Sequence, residues 1–354
     1  MRSSEASPTG RRWAGRRWLA AVACLVALTG LTFALMCWLG QRPSAEEQLR
    51  AIDAAHAVPD EENAALHYTA IALGNTGPSL DPQFLPLKTV QEATLAKAWC
   101  STDFPEVAKW IEDRRATLDA LLQASHRPRC WFPVSQAMTQ RGDRFSTAYY
   151  GSHLLIQAAN NDLGVGRVEA GLEKLLAALR MGEHFRAQVD PSDYSLGRAI
   201  TAEGWKRVGE LLSAGDIPPD WLARFAAVLP PVEDTWDGDF RREEEMSLLY
   251  MQQRRQGFGK RFLYGMAHGR GPGSKAIKLE YLRELTQFRV ARILLELRRY
   301  KHETGSWPTD LSEIRRRAPE GTFFDPYHQK PFEYRRYGTT FSLQTSCYGR
   351  ITGQ

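Results

Sequence analysis

Residues 168–189 read VEAGLEKLLAALRMGEHFRAQV. Leu172, Leu175, Leu176, Leu179 and Phe185 recur at helical spacing, so they share one face of a helix, and that face needs a partner to bury it. The partner stands immediately upstream. Phe145 to Asn160 also reads as a helix, and the intervening Asn161–Gly166 segment is a short polar and glycine-containing turn. Two helices joined so tightly predict an antiparallel hairpin.

Working outward, the same period continues in both directions. Asp190-Pro191-Ser192 breaks the helix, Tyr194 to Ala214 resumes it, and Pro218-Pro219-Asp220 opens another that runs through Val228. Upstream, helices are expected over Ala45–Ala57, Ala64–Leu73, Val90–Cys100 and Phe104–Ala124. Downstream, Ile277 to His302 carries Leu282, Leu285, Val290, Ile293, Leu294 and Leu297 on one face, with Gly305 as its stop. Between them, Gly257 to Gly273 is rich in glycine among basic and aromatic residues and reads as a flexible connection. Pro331–Arg336 and Thr340–Thr345 alternate like strands around Tyr337-Gly338-Thr339, which predicts an antiparallel hairpin. The expected class is therefore mainly α, with a small C-terminal α+β module.

The N-terminus carries a second signal. Trp18 to Gly40 contains no charged residue, and Arg11-Arg12 and Arg16-Arg17 precede it. A helix of that length spans roughly 34 Å, against about 30 Å for a hydrocarbon core, so the run is expected to be a transmembrane anchor. Four arginines on its N-terminal side hold that side in the cytoplasm. A cleaved signal peptide is the rival reading, but the run is longer than such peptides, and Pro43-Ser44-Ala45 makes a poor cleavage site. The expected organisation is a basic cytoplasmic tail (1–17), a membrane helix (18–40), an extracytoplasmic helical domain (41–256), a glycine-rich linker (257–276) and the C-terminal module (277–354). The bilayer is then one partner, and envelope proteins are the others. Nucleic acid is not expected across the membrane.

The 354 residues carry a net charge of +5, and this conceals an uneven distribution. Residues 1–40 sum to +4, residues 41–240 to −9 and residues 241–354 to +10. The basic segment is expected to dock on the acidic half of its own chain or to meet an anionic surface. Arg254, Arg255, Lys260 and Arg261, interleaved with Phe258, Phe262 and Tyr264, are the candidates for surface contact. Of the cysteines outside the anchor, Cys100 and Cys130 are the candidate disulfide pair; each also adjoins a tryptophan and suits a buried free thiol.

The tail resembles the C-terminal part of the type II secretion pseudopilins. It offers Gly305-Ser306-Trp307-Pro308 after a helix, then Asp325-Pro326 with Pro331 closing the loop, then Phe341-Ser342-Leu343-Gln344-Thr345-Ser346. The resemblance implies a small antiparallel sheet behind the helix and, for a true member, a place in a filament. The pilin processing signature is absent near Trp18, and no acidic residues follow Ser346 to complete a calcium shell around Asp325. The overall layout also looks like that of uncharacterised bacterial single-pass proteins of the cell envelope, which implies the inner membrane with the body in the periplasm.

Catalytic patterns are sparse. No serine-hydrolase, Ser-x-x-Lys or His-Glu-x-x-His motif occurs, no two histidines lie four apart, and no cofactor fingerprint is legible. Gly269–Lys275 lacks the glycine that a phosphate loop places before its lysine. Asp234, Asp237 and Asp239 read as a solvated loop. Glu183-His184, on the decisive helix, is the one candidate acid–base pair, set against a plain core histidine. A membrane-anchored scaffold or binding protein is the expected class, a secretion or pilus-like component the alternative, and an envelope enzyme with an unrecognised site the third.

Overall fold

The computed structural model describes residues 28–31, 43–74, 80, 88–214, 217–230, 238, 241, 245–246, 248–250, 272–346 and 349–353, with the side chains of 88, 136–143 and 272–277 excepted. The chain is mainly helical, with a small antiparallel sheet at its C-terminal end. The helices are α1 (Ala45–Ala55), α2 (Ala64–Ala72), α3 (Lys88–Ala96), α4 (Pro105–Glu112), α5 (Arg115–Ser125), α6 (Ala137–Gly164), α7 (Val168–Arg186), α8 (Pro191–Ala214), α9 (Pro219–Ala227) and α10 (Pro272–Thr304). Arg50–Gln354 forms one compact unit, separate from Met1–Leu49.

The centre is α6, α7 and α8, three successive helices packed side by side. The predicted hairpin is present. Its turn closes with Gly166 at φ +80°, a left-handed conformation that suits glycine, while Arg167 N donates to the Asp162 carbonyl at 2.8 Å. Leu172, Leu175, Leu176, Leu179 and Phe185 are all buried. Asp190 Oδ1 caps α8 by accepting from Ser192 N (2.8 Å) and Asp193 N (3.2 Å), with Pro191 in the first turn. The helices approach closely at Gly197, where a Cβ would lie 2.2 Å from Arg186 N and 2.6 Å from the Phe185 carbonyl carbon.

Several expected helix boundaries shift: Phe145–Asn160 lengthens to Ala137–Gly164, and Val90–Cys100 becomes Lys88–Ala96. Phe104–Ala124 is not one helix but α4 and α5, broken at Asp113-Arg114, where the buried Arg114 folds back over the Trp110 ring (4.7 Å) and donates to the Trp110 carbonyl (3.3 Å). The last helix begins earlier than Ile277, at Pro272.

Residues 272–276 of the linker expected at 257–276 are helical and open α10. Residues 257–271 lie outside the described residues, but α10 packs on α8 and α9 and shares their core through Phe288, Ala291, Ile293, Leu294 and Leu297. One buried side chain joins the halves. Arg298, 1 % exposed, donates to the carbonyls of Leu212 and Ser213, which the last turn of α8 leaves without helical partners.

Behind α10, Gly305 (φ +77°) ends the helix, and Trp307 drives into the core, edge-on to Phe341 at 4.6 Å. β1 (Phe324–Asp325) pairs with β2 (Lys330–Pro331), and β3 (Glu333–Tyr337), β4 (Thr340–Thr345) and β5 (Gly349–Gly353) form an antiparallel sheet in that order. The expected hairpin is β3–β4, turning at Gly338. β5 adds an edge strand that alternation did not predict.

Of the expected anchor, residues 28–31 are helical and exposed, and the rest of 18–40 lies outside the described residues. No helix among the described residues is long and apolar enough to cross a membrane.

Candidate functional site

Residues 126–135 run irregularly between helices, and their main-chain groups are satisfied by side chains from several directions. Asn63 Oδ1 accepts from Trp131 N at 2.9 Å. Gln188 donates to the Cys130 carbonyl (2.8 Å) and accepts from Phe132 N (3.1 Å). Asp53 accepts from Val134 N (2.7 Å) and Ser135 N (3.1 Å). His184 completes the set. Its Nε2 donates to the Arg127 carbonyl at 3.0 Å, which leaves Nδ1 to accept from Tyr68 OH at 3.0 Å. Burial pushes the imidazole down to about 4, so it is neutral at physiological pH.

That geometry decides the Glu183-His184 pair. Both nitrogens of His184 are engaged in holding the fold, and Glu183 points into a separate salt bridge with Arg186 at 3.0 Å. Burial outweighs that arginine and holds the Glu183 carboxyl above its ordinary value. The two residues line an open cleft of about 480 Å³ with His126 and Arg180, but they do not work on a common point.

Cys100 and Cys130 are both free thiols. Cys100 Sγ donates to the Gly164 carbonyl at 3.1 Å, while Cys130 is buried, and desolvation pushes its thiol well above the ordinary value. That disfavours the thiolate a nucleophile needs. Arg254, Arg255, Lys260 and Arg261, like Asp234, Asp237 and Asp239, lie outside the described residues. Asp325 is described, and its carboxylate is taken by main-chain donors: Tyr327 N at 2.8 Å and Ser346 N at 3.1 Å. Among the described residues no group of three or more His, Cys, Asp or Glu side chains gathers to hold a metal ion.

A second cleft, of about 530 Å³, is lined by Glu296, Arg299, His302, Glu303 and Arg317. Its charges neutralise each other. Arg317 grips Glu303 through two hydrogen bonds (2.9 and 2.7 Å), Arg299 reaches Glu296 at 3.3 Å, and His302 Nε2 donates to the Ile217 carbonyl at 3.0 Å.

The third cavity differs in kind. About 450 Å³ in volume, it lies between α8 and α10 beside β5, with walls of Trp205, Gly209, Val290, Ala291, Leu294 and Ile351. Three polar side chains around it are engaged elsewhere, Glu210 with Arg207 (3.0 Å), Ser213 with the Gly209 carbonyl (2.8 Å), and Gln287 with the Ala202 carbonyl, whereas the buried Trp205 Nε1 has no hydrogen-bond partner among the described residues. Such a cavity offers apolar surface and little chemistry, the usual composition of a binding pocket. Sequence reading missed it because its walls come from positions up to 146 residues apart, Trp205 to Ile351. A local clue existed in Gly209, a glycine inside a helix, where a Cβ would meet only the Leu294 side chain at 3.9 Å.

No family model, no curated protein and no solved structure matches this chain.

Proposed function

We propose that this chain is a membrane-anchored binding or scaffold protein of the bacterial envelope. Residues 18–40 hold it in the inner membrane, the body lies outside the cytoplasm, and a partner is received at the apolar pocket between α8, α10 and β5. The observation that carries this reading is the pocket itself: open, apolar, and with Glu210, Ser213 and Gln287 on its border already hydrogen-bonded within the chain. Filling it with one aliphatic side chain is worth about 1.5–3 kcal/mol. His184 is committed to Tyr68 and the Arg127 carbonyl, and burial disfavours the Cys130 thiolate, which argues against catalysis at either.

Two measurements test this. Reporters fused after Gly77 and after Gln354 are expected to read outside the cytoplasm; a cytoplasmic reading of either sinks the envelope assignment. A photo-crosslinking residue in place of Lys206, on the pocket rim, is expected to give a discrete adduct in cells that disappears when Gly209→Leu fills the pocket. An adduct indifferent to that substitution removes the pocket from the proposal.

A second reading, a component of a secretion or pilus-like machine, is favoured by the C-terminal order of long helix, Gly305 stop, Trp307 plug and three-stranded antiparallel sheet. Detergent extraction followed by co-purification separates the two: pilin-type subunits recovered in stoichiometric amount support the machine.

A further inference from the structure

β5 is an edge strand. Its inner side pairs with β4 through Phe341↔Gly353, Leu343↔Ile351 and Thr345↔Gly349, and its outer side has no strand beside it among the described residues. An edge of this kind presents a row of main-chain donors and acceptors, and an extended backbone about 4.8 Å away is the group that satisfies them in register. The pocket adjoins this edge, because Ile351 belongs to β5 and lines the cavity.

The two faces of β5 differ chemically. Ile351 faces the helices, whereas its neighbours Arg350 and Thr352 are exposed. Arg350 makes no ion pair among the described residues, and across the sheet it stands opposite the neutral Gln344. A strand laid along β5 therefore meets an apolar cavity on one face and an unneutralised cation on the other. Alternating side chains, apolar then acidic, match both at once.

We propose that β5 accepts an extended segment of a partner polypeptide as a fourth strand, with an apolar side chain of that segment in the α8–α10 pocket and an acidic one beside Arg350. This rests on the binding-protein reading above and names the class of partner. A small apolar molecule would use the pocket without the edge; a packed helix would use neither the main-chain donors nor the alternation.

The test uses the full chain in detergent micelles and fluorescein-labelled peptides that alternate glutamate with valine, leucine or phenylalanine. Saturable binding is expected for at least one peptide. Gly209→Leu, whose Cβ meets no neighbouring backbone and only the Leu294 side chain at 3.9 Å, is expected to keep the fold and weaken binding by about tenfold or more. Arg350→Glu is expected to reverse the preference toward peptides carrying lysine in place of glutamate. Methylating alternate backbone amides of the peptide is expected to abolish binding with the side chains unchanged. Absence of binding, a methylated peptide as tight as its parent, or indifference to Gly209→Leu overturns the proposal. If peptide binding fails while the Lys206 adduct remains sensitive to Gly209→Leu, the strand is wrong and the binding pocket stands; loss of both removes both.

Discussion

Arg298 Nη2 donates to the Ser213 carbonyl at 3.0 Å, and its Nε donates to the Leu212 carbonyl, so a charge in the C-terminal part of α10 caps the C-terminal end of α8. The guanidinium also lies over the Trp307 ring at 4.9 Å, which ties the C-terminal sheet to the same point. Arg298→Met leaves two buried carbonyls unsatisfied and is expected to cost about 3 kcal/mol. Arg298→Lys is expected to recover only part, because one ammonium does not span both acceptors as the fork does. Urea titration followed by tryptophan fluorescence measures both. If residues 277–354 formed a separate domain, Arg298→Met would split the transition in two; a single shifted transition is expected.

The α7–α8 crossing yields the second prediction. Gly197→Ala places a Cβ against the backbone of Arg186 and Phe185, where no rotamer offers relief, so the helices must separate. A loss of about 2 kcal/mol or more is expected. Gly209→Ala, with only Leu294 near at 3.9 Å, gains helix propensity and is expected to stabilise by up to about 1 kcal/mol. Thermal melts of the two variants should move in opposite directions.

What the sequence revealed and what it concealed follow from the range of the interactions. The period through Leu172–Phe185 and the breaker Asp190-Pro191 are local signals, and both predicted elements formed. The break at Arg114 was hidden, because it depends on a cation folding over Trp110 and not on a proline or glycine. The apolar face read for α10 did not include Arg289, Glu296 and Arg298, yet all three are buried. β5 has only Ile351 as an apolar residue between glycines, too little alternation to announce a strand. The pocket is assembled from α8, α10 and β5, and no window on the sequence contains it. The polar residues that looked functional, Glu183 and His184, were legible as residue types but not as roles: His184 holds a loop carbonyl 57 residues away, and Glu183 pairs with Arg186 on its own helix.

Burial of His184 predicts acid sensitivity. Its folded value of about 4 lies below the ordinary 6.5, so protonation favours the unfolded chain. The stability associated with the neutral ring is complete above about pH 6.5 and is lost as the pH falls toward 4, at about 1.4 kcal/mol per unit. His153, also lowered to about 4 by burial, contributes in the same window and with the same sign. Urea midpoints at pH 7, 6 and 5 are expected to fall. His184→Gln is expected to be less stable than wild type at pH 7, having lost part of the Tyr68 and Arg127 contacts, and to fall less steeply. A slope equal to that of wild type would show that this ring is not what titrates.

The two thiols should react at different rates. Cys130 is 8 % exposed, and its burial, reinforced by the nearby Asp193 carboxylate and only partly offset by Arg144, disfavours the thiolate that attacks alkylating reagents. Cys100 is half-buried near the end of α6, where its sulfur contacts the Gly164 carbonyl. Iodoacetamide is expected to label Cys100 in the native chain, whereas Cys130 is labelled only after denaturation; peptide mass mapping distinguishes them. The same map made without reduction, on protein recovered from cells, decides the pairing. A peptide linking Cys100 to Cys130 would mean that an oxidising compartment draws the two segments together in a way the free-thiol fold does not hold, and labelling of Cys100 alone means that both remain reduced and the loop at Cys130 stays fastened by Gln188 and Asn63.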